Sequence, residues 1–205
     1  MAEHKPGNGP IGGQMNAIVL GLARRLRVPA LVERHSSTAV MGLFALVNGV
    51  ISIGVMAAAA WVTGSPFVFP SLGPTAFLFF YTPTAASAAP RNTVFGHLIG
   101  AVAGYLSLVW FGLTEAAPAL TGGMTAARIG AAAVSLGLTS GLMVWLRVPH
   151  PPAGATTLIV SLGILRTPGQ LAVLMLAVGL LTVQGFIINR MAGIDYPLWS
   201  PRSPG

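Results

Sequence analysis

Pro149-His150-Pro151-Pro152-Ala153-Gly154-Ala155-Thr156, running into Thr-Leu-Ile-Val, decides the fold once a second stretch is set beside it. That second stretch is Phe69-Pro70-Ser71-Leu72-Gly73-Pro74-Thr75, running into Ala-Phe-Leu-Phe-Phe. Each opens a short hydrophobic segment with a turn dense in proline and glycine. Helices that only cross a bilayer have no need of so many breakers. Paired broken segments in corresponding places of two halves point to a transport site.

The surrounding composition fits a lipid-embedded chain. Of 205 residues, 7% are charged and 54% hydrophobic, and the mean hydropathy is +0.76. A soluble domain carries roughly a quarter charged residues. Cysteine is absent, which removes disulfides and thiolate metal sites. The acids are Glu3, Glu33, Glu115 and Asp195. None lies deep in an apolar stretch, which argues against a carboxylate relay for protons or sodium and against a cation carrier. The net charge of +7 is spread over loops and segment ends, so it reads as a topology signal and not as a nucleic-acid surface. Met1 to Pro10 is polar, unlike a secretory signal.

Residues 1–38 read as a basic lead-in, with Ile18 to Leu26 a candidate surface helix carrying Arg24 and Arg25. Six apolar segments follow, at about 39–62, 67–82, 92–113, 125–146, 151–165 and 169–189. Four have the roughly 20 residues needed to cross a hydrocarbon core of about 30 Å, whereas the second and fifth are too short to cross comfortably. The long–short–long order occurs twice, over 39–113 and 125–189, and residues 190–205 form a tail. Placing Gly73 over Gly154 also places Pro70 over Pro151 and Thr75 over Thr156, an offset of 81. The expected fold is therefore an all-α membrane bundle of about six segments, four full spans plus two short broken ones. Six crossings make the halves an inverted repeat, and four crossings make it parallel. Arginine placement favours six, with the N-terminus inside, by one residue net.

Proline at a helix start leaves the following amides free, at the positive end of the helix dipole. The amides of Ala153, Gly154 and Ala155 are therefore a candidate anion site, with Thr156 adding a hydroxyl and His150 a titratable ring. Ser71, Gly73 and Thr75 repeat the arrangement in the other half. The competing reading is that these residues shape tight turns and bond backbone carbonyls. His97, inside the third segment, needs a polar partner and is expected to support a broken segment. Arg91 and Asn92 stand at the mouth of that segment, either as an interfacial anchor or as an attractor for an entering anion. Asn48, Gln184 and Asn189 read as interhelical hydrogen-bond partners. Gly100/Gly104 and Gly137/Gly141 permit close helix contact, within the bundle or between copies. Trp61, Trp110, Trp145 and Trp199 fall near segment ends, as an aromatic belt requires. No phosphate loop, His-Glu-x-x-His or nucleophile elbow occurs, so an enzyme is not expected, and neither is a cofactor or a bound metal.

Pro149-His150-Pro151-Pro152-Ala153-Gly154-Ala155 resembles the signature of the HPP family of integral membrane proteins. Pro90-Arg91-Asn92 with Gly96-His97, and Pro70-x-x-Gly73 ahead of an apolar run, look like further family motifs, and the resemblance covers about residues 36–190. Family members are usually described with four transmembrane segments, and plastid and cyanobacterial members are implicated in nitrite transport. The resemblance thus implies a permease or channel for a small monovalent anion, nitrite first, in a bacterial inner membrane with a cytoplasmic N-terminus. The alternative is a non-transporting scaffold or accessory subunit that assembles through its small-residue faces.

Overall fold

The computed structural model describes residues 27–201. The candidate surface helix at Ile18 to Leu26 lies outside the described residues. Among the described residues the chain is all helix, turn and irregular backbone, with no strand. A short helix α1 (Val28–Val32) leads into α2 (Ser37–Thr63), α3 (Leu72–Tyr81) and α4 (Pro90–Trp110). After α5 (Ala119–Gly122), the same long–short–long order returns as α6 (Ala126–Trp145), α7 (Ala153–Ser161) and α8 (Pro168–Met191).

The helix ends follow from local chemistry. The Ser36 hydroxyl accepts from the Ala39 amide at the start of α2, and Gly64, with φ +65°, closes that helix in the left-handed conformation. A reciprocal Thr167–Gln170 capping box opens α8, with Pro168 at its first position. The four long helices are each long and apolar enough to cross a membrane. The short ones have 10 and 9 residues, or about 15 and 14 Å. Each starts only after a proline turn, since a residue before proline is disfavoured in the helical region. Phe69 precedes Pro70 and His150 precedes Pro151 in this way.

Contacts between helix ends fix the path of the chain. Met41, near the start of α2, shares a groove with Tyr81 at the end of α3. At the same end, Arg91 Nη1 donates to Arg147 O (3.3 Å), and the Val28 amide donates to Ala192 O. At the opposite end the Ala119 amide donates to Leu162 O, and Arg166 Nη1 donates to Ala116 O. The chain thus passes from end to end six times. The two short helices complete their passages with the irregular residues 64–71 and 146–152.

Helix α4 is the centre of the packing, and its glycines make that possible. A methyl group on Gly96 would stand 2.6 Å from His150 Cβ, and one on Gly100 would stand 2.7 Å from Ala153 O. One on Gly104 would stand 2.8 Å from Val160 Cβ. Helix α7 therefore lies on a glycine stripe that no other residue type leaves open. Gly185 of α8 meets the ring of Phe79 on α3 in the same manner. The offset of 81 carries Gly104 onto Gly185 and Phe79 onto Val160. Each short helix therefore packs on the third helix of the other half through matching positions.

Several expectations for polar and small residues resolve here. Asn189 Nδ2 donates to Phe79 O (3.0 Å) and Gln184 Nε2 meets Met56 Sδ (3.5 Å), both between helices. Asn48 instead donates to Phe44 O one turn back in its own helix, so it joins no neighbour. Gly100 and Gly104 act inside the bundle, while Gly137 has open space where a side chain would sit. Trp61, Trp110 and Trp145 are all more than three-quarters exposed, as residues of an interfacial belt are. Arg128, at the start of α6, is only 2% exposed. Its guanidinium donates to Ser161 O (3.2 Å), at the C-terminus of α7, and to Ala117 O (2.8 Å). A cation on the negative end of a helix dipole offsets part of the cost of its burial.

Candidate functional site

His150 sits between Pro149 and Pro151, so its backbone stays outside α7 and its ring crosses to α4 above Gly96. His97 is the next residue of α4. Thr75 lies in the first turn of α3 and Thr156 in the first turn of α7. All four side chains are fully buried. His97 Nε2 lies 2.9 Å from Thr75 Oγ1 and 3.1 Å from His150 Nε2. His97 Nδ1 lies 2.7 Å from Thr156 Oγ1. The two threonines, equivalent under the offset of 81, thus flank one imidazole from opposite sides.

His150 Nε2 is also 3.2 Å from Thr75 Oγ1, while its Nδ1 is 2.7 Å from Ser87 O, with Thr93 Oγ1 at 3.5 Å. These contacts assign the protons of the neutral rings. A carbonyl only accepts, so His150 Nδ1 carries the hydrogen and His150 Nε2 is a bare lone pair. Two bare nitrogens 3.1 Å apart repel, so the hydrogen of His97 is on Nε2. His97 Nδ1 is then an acceptor, and the Thr156 hydroxyl donates to it. The centre of the cluster holds one proton between two ring nitrogens, with the Thr75 hydroxyl beside it.

The structure corrects the expected mechanism at the helix ends. The amides of Ala153, Gly154 and Ala155 are not open donors: they bond His150 O, Pro151 O and Pro152 O at 3.0, 3.0 and 3.1 Å. Pro152 already has helical backbone angles, so the Pro-Pro turn supplies acceptors to the first turn of α7. The donors at this centre are side chains. Gly73 has open space at the Cβ position, and Gly154 faces Leu136 of α6 at 3.4 Å. Neither glycine meets the histidines. Ala155 lines a groove of about 330 Å³ with Pro74, Phe77, Leu78, Pro151 and Pro152, between the starts of the two short helices. Ser71 is buried; its carbonyl accepts from Thr75 Oγ1 at 3.0 Å, as the turn-forming reading expects, and its hydroxyl has no partner among the described residues.

Arg91 stands apart at the end of the bundle, bonded to Arg147 O. Asn92 is buried and donates to Ala86 O (2.8 Å), which holds the short 3₁₀ turn Ala86–Ala88 whose Ser87 carbonyl receives His150. Asn92 therefore positions His150 from one residue further out. Sequence reasoning missed Thr93, one turn before His97, and read Gly96 only as part of a motif with His97, not as the residue that extends the Gly100/Gly104 register by one more turn. It also missed the Thr139–Thr157 hydroxyl pair (2.8 Å), which ties α6 to α7. The four-residue spacing of Gly96 from Gly100 was a usable signal; nothing local marks Ser87.

The family model for the HPP transmembrane region matches residues 34–197. The match covers most of the chain, and the protein belongs to that family. No curated protein and no solved structure matches it.

Proposed function

We propose that this member of the HPP transmembrane family is a permease for a small monovalent anion, nitrite first, in a bacterial inner membrane. The observation that carries the reading is the buried meeting of the two broken helices around His97 and His150. Hydroxyl and imidazole groups from both halves converge there on one small volume, and no acid reaches it among the described residues. Such a centre offers hydrogen-bond donors to a small anion and no fixed negative charge to repel it. The matching contacts of Gly104 with Val160 and of Gly185 with Phe79 support an inverted repeat, in which one half rocks against the other around a fixed site. Arg27, Arg34, Arg91, Arg147 and Arg190 gather at the end where α2 begins, against Arg128 and Arg166 at the other. That bias favours a cytoplasmic N-terminus.

The test is uptake of nitrite, nitrate, formate and chloride by liposomes holding the purified protein, with Thr75→Val beside the wild type. Selective uptake that falls at least tenfold in folded Thr75→Val supports the reading. Absence of flux for every anion, in folded protein, overturns it and leaves the scaffold alternative.

A further inference from the structure

We propose that the anion moves together with one proton, taken up on His150 Nε2, so that each transport event is electroneutral. This rests on the permease reading above and adds the coupling ion to it.

The argument starts from the hydrogen count. In the resting cluster, His150 gives its only ring hydrogen to Ser87 O and turns the bare Nε2 toward His97. The face of the cluster that an anion would occupy therefore holds one donor hydrogen, on His97 Nε2, and one lone pair. An anion placed between the rings meets that lone pair and is repelled. A proton on His150 Nε2 turns the lone pair into a second donor and makes the ring an imidazolium. The anion then accepts from both Nε2 atoms, and the Thr75 hydroxyl, 2.9 and 3.2 Å from them, turns to become a third donor. One proton and one monovalent anion enter, the summed charge of the loaded site is zero, and both leave on the other side. No bond other than N–H is made or broken.

Among the described residues, the surroundings leave no other group to balance the charge. Around His150 stand Thr75 from α3, Ser87 O from the 3₁₀ turn, and Thr93, Gly96 and His97 from α4. Thr156 from α7 completes the set through His97. Arg91, Arg128 and Arg166 bond carbonyls at the ends of the bundle. A lone anion in this buried site would carry an uncompensated charge, which a low-dielectric interior disfavours strongly. Loading it with its proton removes that cost.

The experiment follows nitrite entry and lumen pH together in proteoliposomes, with potassium and valinomycin clamping the membrane potential and empty liposomes subtracted. The expected result is one proton entering per nitrite, at a rate that does not change with the clamped potential. Nitrite uptake that tracks the potential without acidifying the lumen overturns the coupling while leaving the permease intact. Lack of uptake overturns the permease and the coupling with it. His150→Gln retains an amide donor and takes no second proton, so its residual uptake should become potential-dependent and lose its acidification. One-to-one acidification persisting in His150→Gln removes His150 as the carrier.

Discussion

His97 and His150 have counterparts in the other half of the molecule: the offset of 81 carries His97 to Val178 and His150 to Phe69. All four are buried, at 0% exposure for His97, His150 and Val178 and 5% for Phe69. The threonines Thr75 and Thr156 are duplicated at these junctions, and so are the glycine contacts with Phe79 and Val160. The halves therefore share a packing scheme and differ in chemistry at its centre. One junction carries two titratable rings in a closed hydrogen-bond set, and the other is filled with apolar side chains of the main core. Packing explains why both junctions exist, and it gives no reason for one of them to hold imidazoles. An apolar junction of the same shape satisfies the fold without any need to pair buried polar groups.

The largest expected difference comes from truncating the two counterparts. His97→Ala strips the Thr156 hydroxyl of its imidazole partner, and an orphaned buried group costs about 1–3 kcal/mol on top of the cavity. Val178→Ala removes two methyl groups from an apolar site, for which about 1–3 kcal/mol is the scale. Thermal unfolding in detergent should rank His97→Ala clearly below Val178→Ala, and anion uptake should be lost in the former alone. Equal destabilisation of the two variants would mean that the histidine junction is ordinary packing.

The glycine pair sharpens the comparison at a smaller scale. A side chain at Gly104 meets Thr157 O at 2.9 Å and the β-branched Val160, neither of which can move aside without shifting α7. A side chain at Gly185 meets the Phe79 ring, whose χ angles give some room. Overpacking of this kind costs about 1–3 kcal/mol. We expect Gly104→Ala near the top of that range, Gly185→Ala near the bottom, and Gly137→Ala, in open space, within about 0.5 kcal/mol of wild type. Because Gly104 carries the helix that presents Thr156, its variant should also lose more flux than Gly185→Ala does.

The sequence made much of this legible and concealed a definite part. Hydropathy and the Pro/Gly turns located both short helices and their pairing, since breakers and apolar runs act locally. The offset of 81 found the two threonines before any contact was known. It could not show that both meet His97, because that contact joins residues 22 and 59 positions apart. The open amides expected at Ala153–Ala155 failed for a local reason: Pro152 is already helical, and the carbonyls of His150, Pro151 and Pro152 satisfy them. The burial of Arg128 was not legible, because packing a guanidinium against the C-terminus of α7 depends on α6 and α7 coming together, which no pattern near residue 128 announces.

The smallest stability effect is the most discriminating one, because it separates the duplicated threonines from each other. Thr156 is the only donor to His97 Nδ1 in the cluster, so Thr156→Val leaves that nitrogen unpaired and should cost about 1–2 kcal/mol. Thr75 is one of two acceptors for His97 Nε2–H, and His150 Nε2 at 3.1 Å remains when it is gone. Thr75→Val should therefore shift unfolding by less than about 0.5 kcal/mol. Transport should show the reverse emphasis, since Thr75 stands beside both Nε2 atoms where the anion is proposed to sit, and Thr156 lies behind the ring. A Thr75→Val protein with wild-type stability and little flux, next to a less stable Thr156→Val that keeps part of its flux, would assign the two hydroxyls to different tasks. Equal stability losses would mean instead that the two threonines act alike in packing, and that the asymmetry of the site resides in the histidines alone.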